Sequence, residues 1–475
     1  MSDERYDLAI VGSGGAAFAA AIAARERDLA VVMVESGTIG GTCVNTGCVP
    51  SKAMLAAAEA RHVAASQRFP GVPTQAGRVD LAALVGAKQD LVEAMRAEKY
   101  VDLAAEYGWR VVHGFARFAG EADAPVLDVD TADGPVRIDA AQYLVANGAT
   151  PSAPPVDGLA ATGYLTSTTA LELTALPASM VVVGGNAVGL ELAQLFARLG
   201  VDVTVLEALD RLAPFDEPEV SHALADAFVA DGISVVTDAM VTSVRRTAAG
   251  YVVTVDAEDH GGVELVAEQL VVATGRRPAT EHLGLDGVGV KTDERGAVVV
   301  DECQRTANPR IWAAGDVTGG PQFVYVAAGQ GTAAVDNAFA DARRTLHYAS
   351  LPRVTFTSPA IAAVGLTAAE AAAHGLDVDS RVLPLDRVPR AIVDGDTRGL
   401  VKIVADRATG RVVGVSMLAH GAGDAILAAV YAVKAGMTVQ QVADTWAPYL
   451  TAAEALKLAA QTFTRDVSKL SCCAS

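Results

Sequence analysis

The N-terminal stretch of the chain consists of two apolar runs separated by a glycine-rich break and an alanine-rich segment. Residues 6–11 (YDLAIV) and 30–35 (AVVMVE) are mostly apolar, and the alanine-rich segment lies between them. Continuous apolar runs of this length are typical of parallel strands that are buried on both faces. The stretch therefore predicts a strand, a turn, a helix that begins at Ala16, and a second strand beside the first.

The turn in this unit matches the pattern G-x-G-x-x-[GA]. Gly12 permits a tight turn, Gly14 lets the main chain approach a pyrophosphate, and Ala17 permits close packing of the helix on the strand. Glu35 stands 23 residues after Gly12, close to the spacing of about 20 expected for an acid that binds a ribose hydroxyl. The unit predicts a dinucleotide site. The alternative is a plain glycine-rich turn between a strand and a helix.

The same order of strand, turn, helix, strand and acid recurs from Ser179. Gly184 and Gly189 occupy the fingerprint positions, Asn186 replaces the middle glycine, and Glu207 again follows the first glycine by 23 residues. This internal repeat predicts a second dinucleotide. A carboxylate at position 207 would accept from free ribose hydroxyls and repel a 2'-phosphate, which favours NADH.

Composition limits the class of protein. The chain has 475 residues, 51% of them apolar and only 5% aromatic, which predicts about three domains with cores of Ala, Val and Leu and excludes a disordered chain. A net charge of -19 argues against nucleic acid and anionic membranes as partners. Acids near the N-terminus argue against a secretory signal, and the glycines at 12–15 interrupt the uncharged run 8–24. We therefore expect a cytoplasmic protein without a membrane span.

Four of the five cysteines stand in two close pairs. Cys43 and Cys48 are separated by four residues where a helix is predicted to begin, and a helix N-terminus stabilises a thiolate. They predict a redox pair, with two buried small hydrophobes as the alternative. Cys472 and Cys473 are adjacent near the chain end and suit a soft metal ion, unless that terminus is merely frayed. Cys303 has no thiol neighbour in sequence and is interpreted as structural.

The segment G-G-T-C-V-N-T-G-C-V-P-S-K, residues 40–52, resembles the pyridine nucleotide-disulfide oxidoreductase family, which includes glutathione reductase. The resemblance implies an α/β fold with two Rossmann-like dinucleotide-binding domains and a C-terminal α+β dimerisation domain. The expected division is 1–150 for the first part of the FAD domain, 151–278 for the NAD(P) domain, 279–348 for the return to the FAD domain, and 349–475 for dimerisation.

The resemblance also implies cofactors and roles. FAD would occupy the first site and NADPH or NADH the second. Family precedent favours NADPH, whereas the charge of Glu207 favours NADH. Cys48 would lie nearest the flavin, and Cys43 would exchange with substrate. Electrons would pass from NAD(P)H through FAD to this pair. The other implied cofactor residues are Gly37, Thr42, Lys52, Ala116, Glu191, Asp316 and Val324. Lys52 would pair with Glu191; the alternatives are a solvated lysine and an ordinary acid on a helix surface.

The window APYLTAAEALK, residues 447–457, indicates the substrate. Disulfide reductases of the family carry an acid-base histidine where this chain has Tyr449, although Glu454 is kept. Tyr449, Tyr100 and the C-terminal cysteine pair resemble the branch of the family whose members reduce Hg(II). In that case Hg(II), bound as a thiolate complex, would pass from Cys472 and Cys473 of the partner subunit to Cys43 and Cys48, which requires a homodimer. The alternatives are a dihydrolipoamide dehydrogenase or related disulfide reductase, and a metal-sequestering flavoprotein without turnover.

Overall fold

The structure is a computed structural model that describes residues 5–257, 262–340 and 342–467. The described residues form 22 strands, which we number in chain order. Strands β1 to β22 are Tyr6–Val11, Val31–Glu35, Arg110–His113, Phe115–Glu121, Ala124–Thr131, Gly134–Ile138, Ala140–Val145, Ala149–Pro151, Ser179–Val183, Asp202–Leu206, Ser234–Val236, Ala239–Thr247, Gly250–Ala257, Val263–Ala267, Gln269–Val272, Arg276–Pro278, Ile311–Ala313, Pro352–Thr355, Ala360–Gly365, Val378–Pro384, Leu400–Asp406 and Val412–Ala419.

The same residues form 14 α-helices. Helices α1 to α14 are Gly15–Arg25, Gly41–Asn45, Cys48–Ser66, Leu81–Arg96, Asp102–Tyr107, Ser167–Ala170, Ala187–Leu199, Pro218–Ala230, Val324–Ala340, Ala368–Ala373, Pro389–Asp394, Ala422–Lys434, Val439–Asp444 and Glu454–Gln461. A π-helical turn, Ala97–Val101, joins α4 to α5. Within the described part of the chain, every helix is too short or too polar to cross a membrane.

The described residues divide into two compact units. The first lies within Met1–Ala53, Ala83–Ser152 and Gly275–Leu346, and the second within Met54–Ala82, Ala153–Thr274 and His347–Ser475. The second dinucleotide segment and the C-terminal segment therefore fall in one unit by their contacts. The division into four sequence segments stays a prediction.

The first unit is built on a parallel sheet with strand order β17-β7-β1-β2-β3. An antiparallel meander of β4, β5 and β6 is inserted in the chain between β3 and β7. Along β1, Leu8 and Ile10 pack with α1, while Ala9 and Val11 pack in the cluster that includes the meander. Because both faces of β1 are buried, its sequence is a continuous apolar run, as the sequence predicted.

The second unit repeats this arrangement and adds a separate sheet. Its parallel sheet has the order β11-β10-β9-β15, and the meander β12, β13 and β14 is inserted between β11 and β15. The predicted internal repeat is thus confirmed. An antiparallel sheet, β18-β19-β22-β21-β20, follows and packs with α12 and α14 around a second-unit core. Buried Lys402 of this sheet donates to Glu217 beside α8 at 2.9 Å.

Candidate active site

The first glycine turn has the geometry of a phosphate-binding loop. Gly12 has φ +101°, and a Cβ there would lie 2.6 Å from the carbonyl oxygen of Ala146. A Cβ on Gly41, which has φ +65°, would lie 2.5 Å from the Cα of Gly14, so two main-chain segments meet without side chains. Ala17 is fully buried. Helix α1 has no side-chain cap and no acid in its first turn, so its N-terminal N–H groups can bind an anion.

Glu35 ties this turn to the loop after β2. Its Oε2 accepts from the Ser13 hydroxyl at 2.5 Å, and its Oε1 accepts from the Gly37 N–H at 2.6 Å. The Gly40 N–H in turn donates to Ser13 Oγ at 3.0 Å. The role of Ser13 was not predicted, although Ser13 stands between two fingerprint glycines. The bonds hold the acid at the end of β2, where a ribose hydroxyl is expected.

Other residues predicted to contact the flavin also lie in the first unit. Asp316 begins a short 3-10 turn after β17, and its burial raises the pKa of its carboxyl group while Arg276 opposes that shift. Val324 begins α9, with its Cγ2 3.0 Å from the Cβ position of Gly15. Ala116 lies in β4 opposite Val129. Arg276, the first residue of β16, was not predicted from the spacing of the motifs.

An orphaned polar atom supports the presence of a ligand in this cradle. Asn147 donates through Nδ2 to the carbonyl of Ala279, but its buried Oδ1 has no hydrogen-bond partner. Its Cα lies 2.8 Å from the Cβ position of Gly12. A buried acceptor without a partner is costly, and a ligand donor would satisfy it. The orphaned acceptor, the side-chain-free cradle and the uncapped N-terminus of α1 together fit a dinucleotide such as FAD.

The cysteine pair lies where the first unit places two helix ends side by side. Cys43 lies in α2 and is half-buried, and Cys48 is the exposed first residue of α3. The structure holds them as two thiols. A hydrogen bond with Cys48, followed by burial, raises the pKa of Cys43, and the charge of Lys52 opposes that rise. The predicted helix start at the pair is confirmed. Thr42 precedes Cys43 in α2.

Helix α3 is anchored at its far end within the second unit. Glu59 pairs with Arg198 of α7, and Arg61 donates to the Arg198 carbonyl at 2.6 Å. Arg198 is almost fully buried and also pairs with Asp231 at 2.8 Å. Breaking a buried ion pair of this kind is strongly destabilising, because removing one partner leaves the other charge buried and uncompensated. The network fixes the part of α3 that lies in the second unit.

Tyr100 faces the cysteine pair from the π-helical turn. Its ring packs edge-on against Phe18, with centroids 4.7 Å apart. Burial raises the pKa of Tyr100, with further contributions from Cys43 and Cys48, so its hydroxyl keeps its proton and can donate. The structure places Tyr100 in packing contact with Phe18 and also within electrostatic reach of both thiols, and π-helical turns are frequent at functional sites.

The second glycine turn repeats the geometry of the first. Gly184 has φ +111°, and a Cβ there would lie 2.6 Å from the carbonyl oxygen of Ala273. A Cβ on Gly189 would lie 1.9 Å from the carbonyl oxygen of Gly184, so the helix can pack there only with glycine. Asn186 is the N-cap of α7, and its side chain accepts from the Ala187 N–H at 2.9 Å. Capping gives a physical reason for asparagine at the middle fingerprint position.

Two acids of the second unit are fixed by main-chain donors. Glu207 is buried and accepts from the N–H groups of Gly185 at 2.6 Å and Leu209 at 2.9 Å. Glu191 is 8% exposed and accepts from the Phe356 N–H at 2.9 Å. The alternative that Glu191 is an ordinary acid on a helix surface is therefore wrong. Its predicted pairing with Lys52 stays a prediction.

The remaining predicted residues fall into three cases. Tyr449 is half-exposed in the loop between α13 and α14. Cys303 is half-buried, and its carbonyl accepts from Asn337 at 2.9 Å, which fits a structural residue. Cys472 and Cys473 lie outside the described residues. Among the residues that the structure does describe, no cluster of three or more His, Cys, Asp and Glu side chains could hold a metal ion.

Two dinucleotide folds, a thiol pair at a helix start and an antiparallel C-terminal sheet define a flavin-dependent disulfide oxidoreductase class. The chain belongs to the pyridine nucleotide-disulphide oxidoreductase family, which matches residues 6–331. The dimerisation domain of that family matches residues 351–460. Over its whole length the chain is similar to proteins named mercuric reductase. It is 58% identical to one from Streptomyces lividans, over 99% of this chain and 98% of that protein. It is 45% identical to one from Lysinibacillus sphaericus, over 100% of this chain and 85% of that protein.

Solved structures give the same fold. A Cu(II) complex of the HOCl-induced flavoprotein disulfide reductase RclA from Escherichia coli has a TM-score of 0.86 at 28% identity, over 97% of this chain and all of that one. LpdA from Mycobacterium tuberculosis has the same TM-score, identity and coverage. The predicted fold class and family are confirmed. The family implies FAD and NAD(P)H, and its dimerisation domain supports a homodimer. The dihydrolipoamide dehydrogenase alternative is not favoured.

Proposed function

We propose that this protein reduces Hg(II) to Hg(0) with electrons from NAD(P)H. The observation that carries the proposal is the pair Cys43 in α2 and Cys48 at the start of α3, with Tyr100 within electrostatic reach of both thiols. Soft thiolates select soft cations, and two thiolates suffice for a bis-thiolate complex of Hg(II). Full-length similarity to the mercuric reductases supports the same substrate.

The residues would act on the metal as follows. FAD, when bound, supplies the two electrons that originate in NAD(P)H. Cys43 and Cys48 lose their protons as they bind Hg(II), and both sulfurs are released as thiolates when the metal leaves as Hg(0). The overall reaction converts NAD(P)H and Hg(II) into NAD(P)+, one proton and Hg(0). The neutral hydroxyl of Tyr100 can donate a hydrogen bond to a sulfur that is losing its metal.

The site is proposed to be shared between subunits. Tyr449 of the partner subunit would complete the lining opposite Tyr100, and Cys472 and Cys473 of the partner subunit would capture Hg(II) first. Exchange from one thiol pair to the other keeps the metal bound throughout the transfer. The similarity to full-length mercuric reductases and the sequence itself support this arrangement. A cytoplasmic location is proposed from the same acidic sequence.

One assay tests the proposed function. Purified holoenzyme should oxidise NAD(P)H when Hg(II) is supplied with excess thiol, and volatile Hg(0) should appear in proportion to the NAD(P)H consumed. Dihydrolipoamide with NAD+ should give little turnover, because a tyrosine with a pKa of about 10 is a poor proton shuttle at neutral pH. Turnover with dihydrolipoamide but none with Hg(II) would instead identify a disulfide reductase. Tight Hg(II) binding without NAD(P)H oxidation would identify a sequestering protein.

We propose further that NADH is the preferred coenzyme. The buried carboxylate of Glu207 would lie near a 2'-phosphate, and the next arginine, Arg211, is bonded to the Asp210 carboxylate and to the Pro214 carbonyl. Like charges a few ångströms apart repel by ~1–4 kcal/mol at effective dielectric constants of 80 to 20. We therefore expect kcat/KM for NADH to exceed that for NADPH by on the order of tenfold.

The same assay extends to variants of this acid. Glu207→Gln removes the charge and keeps one oxygen for a main-chain N–H, so the NADH-to-NADPH ratio of kcat/KM should fall towards one. Asp226→Asn removes an exposed acid from α8 and should leave the ratio unchanged. Anaerobic reduction of the flavin by each coenzyme measures the preference without mercury. A wild-type preference for NADPH would show that Glu207 does not select the coenzyme.

A further inference from the structure

The loop that carries Tyr449 contains a strained residue. Leu450 has φ +58°, the left-handed region, which leucine adopts at a cost of about 1–3 kcal/mol. Such a residue persists only where its surroundings hold it in place. Within the loop, Thr451 Oγ1 donates to the Pro448 carbonyl at 2.9 Å, which closes the turn around Tyr449 and Leu450.

The carboxylate of Glu454 accepts a hydrogen bond from the main chain of this strained residue. Glu454 is 3% exposed, and its Oε2 accepts from the Leu450 N–H at 3.2 Å. It is the first residue of α14, where the helix dipole favours a negative charge. The next residues, Ala455 and Leu456, belong to the core cluster of the C-terminal sheet. The carboxylate is therefore fixed on a helix that packs in the core, whereas Leu450 lies in the loop before that helix.

We propose that Glu454 is a positioning residue for Tyr449, acting through the main chain of Leu450. The carboxylate keeps Leu450 in its left-handed conformation. That conformation in turn sets the direction in which the side chain of the preceding residue, Tyr449, projects from the loop. Without the acceptor, Leu450 would relax to an ordinary negative φ, and the Tyr449 side chain would turn with it. This inference rests on the proposed role of Tyr449 in mercury transfer.

Two isosteric variants of the holoenzyme test the inference. Glu454→Gln keeps an oxygen that can accept from the Leu450 N–H, whereas Glu454→Met keeps the volume and removes the acceptor. We expect kcat/KM for Hg(II) to stay within about twofold of wild type in Glu454→Gln and to fall on the order of tenfold to a hundredfold in Glu454→Met, as misplaced groups do. Flavin reduction by NAD(P)H should be unchanged in both.

A measurement without mercury separates this inference from the proposed function. Hydrogen exchange of a peptide covering residues 447–453, followed by mass spectrometry, should be faster in Glu454→Met and unchanged in Glu454→Gln. That result would stand even if the protein did not reduce Hg(II). Equal loss of activity in both variants, with slow exchange kept in both, would overturn the proposal and assign the charge of Glu454 to proton transfer. Unchanged exchange in Glu454→Met would also overturn it.

Discussion

Replacing either Cys43 or Cys48 with serine should lower mercury-dependent NAD(P)H oxidation on the order of a thousandfold or more, because residues that act as one unit fail together. A serine hydroxyl is a hard ligand that stays protonated at neutral pH, so each variant would leave Hg(II) with one thiolate. Flavin reduction by NAD(P)H should continue in both variants, since it does not require the metal. Stopped-flow absorbance of the flavin and a Hg(0) vapour assay measure the two steps separately.

Cys303→Ser is the matched control for this experiment. Cys303 is half-buried, its carbonyl accepts from Asn337 and its N–H donates to Asp301, so its main chain has a structural role and its sulfur is not expected to take part in turnover. The control should therefore keep wild-type mercury reduction. If the Cys43 variant kept wild-type turnover while the Cys48 variant lost it, the two-thiol complex would be contradicted and a one-thiol mechanism indicated.

Gly331→Ala should destabilise the first unit and weaken the retention of FAD. Gly331 lies in α9 where this helix packs on α1, and a Cβ there would lie 2.1 Å from the carbonyl oxygen of Ala16. The atoms that this Cβ would meet belong to the main chain of Ala16 and cannot turn away as a side chain could, so α1 and α9 must separate. Overpacking of a core typically costs 1–3 kcal/mol, occasionally more. Because Ala16 lies in the first turn of α1, the separation would also move the predicted pyrophosphate site.

Gly329→Ala is a control in the same helix. A Cβ at Gly329 would lie 3.7 Å from a methyl group of Leu346, an ordinary contact distance, and alanine is the better helix former by about 1 kcal/mol. We expect Gly329→Ala to be neutral or slightly stabilising in urea denaturation and to keep a full complement of flavin. Equal stability and equal flavin content in the two variants would show that the close crossing of α1 and α9 is not required.

Features that depend on neighbours in sequence were predictable. The strand, glycine turn and helix around Gly12 and Gly184 were predicted, because tight turns and helix starts are decided by a few consecutive residues. The 23-residue spacing to Glu35 and Glu207 predicted the repeat. The helix start at Cys48 was predicted on the same local grounds.

Features that depend on distant segments were not predictable. Sequence alone allowed Glu191 to be a surface acid, because its burial depends on the strand that brings Phe356 to it. The unpartnered oxygen of Asn147 was not predictable either, because the orientation of the amide depends on the hydrogen bond from Asn147 Nδ2 to the distant carbonyl of Ala279. Only the resemblance singled out Tyr100, because nothing along the chain relates it to Cys43; the fold brings it within electrostatic reach of that thiol.

The redox pair and its two cofactor turns were thus determined by the sequence itself, since helix starts, glycine turns and thiol spacing are short-range properties. The tertiary structure decided which side chains surround the pair and what each one can do. It buried Glu207 and Glu191, placed the Tyr100 hydroxyl near two thiols, and set Glu454 against the strained Leu450. The physical reason is that desolvation and packing depend on all segments that meet at a point, and no local pattern records which segments will meet there.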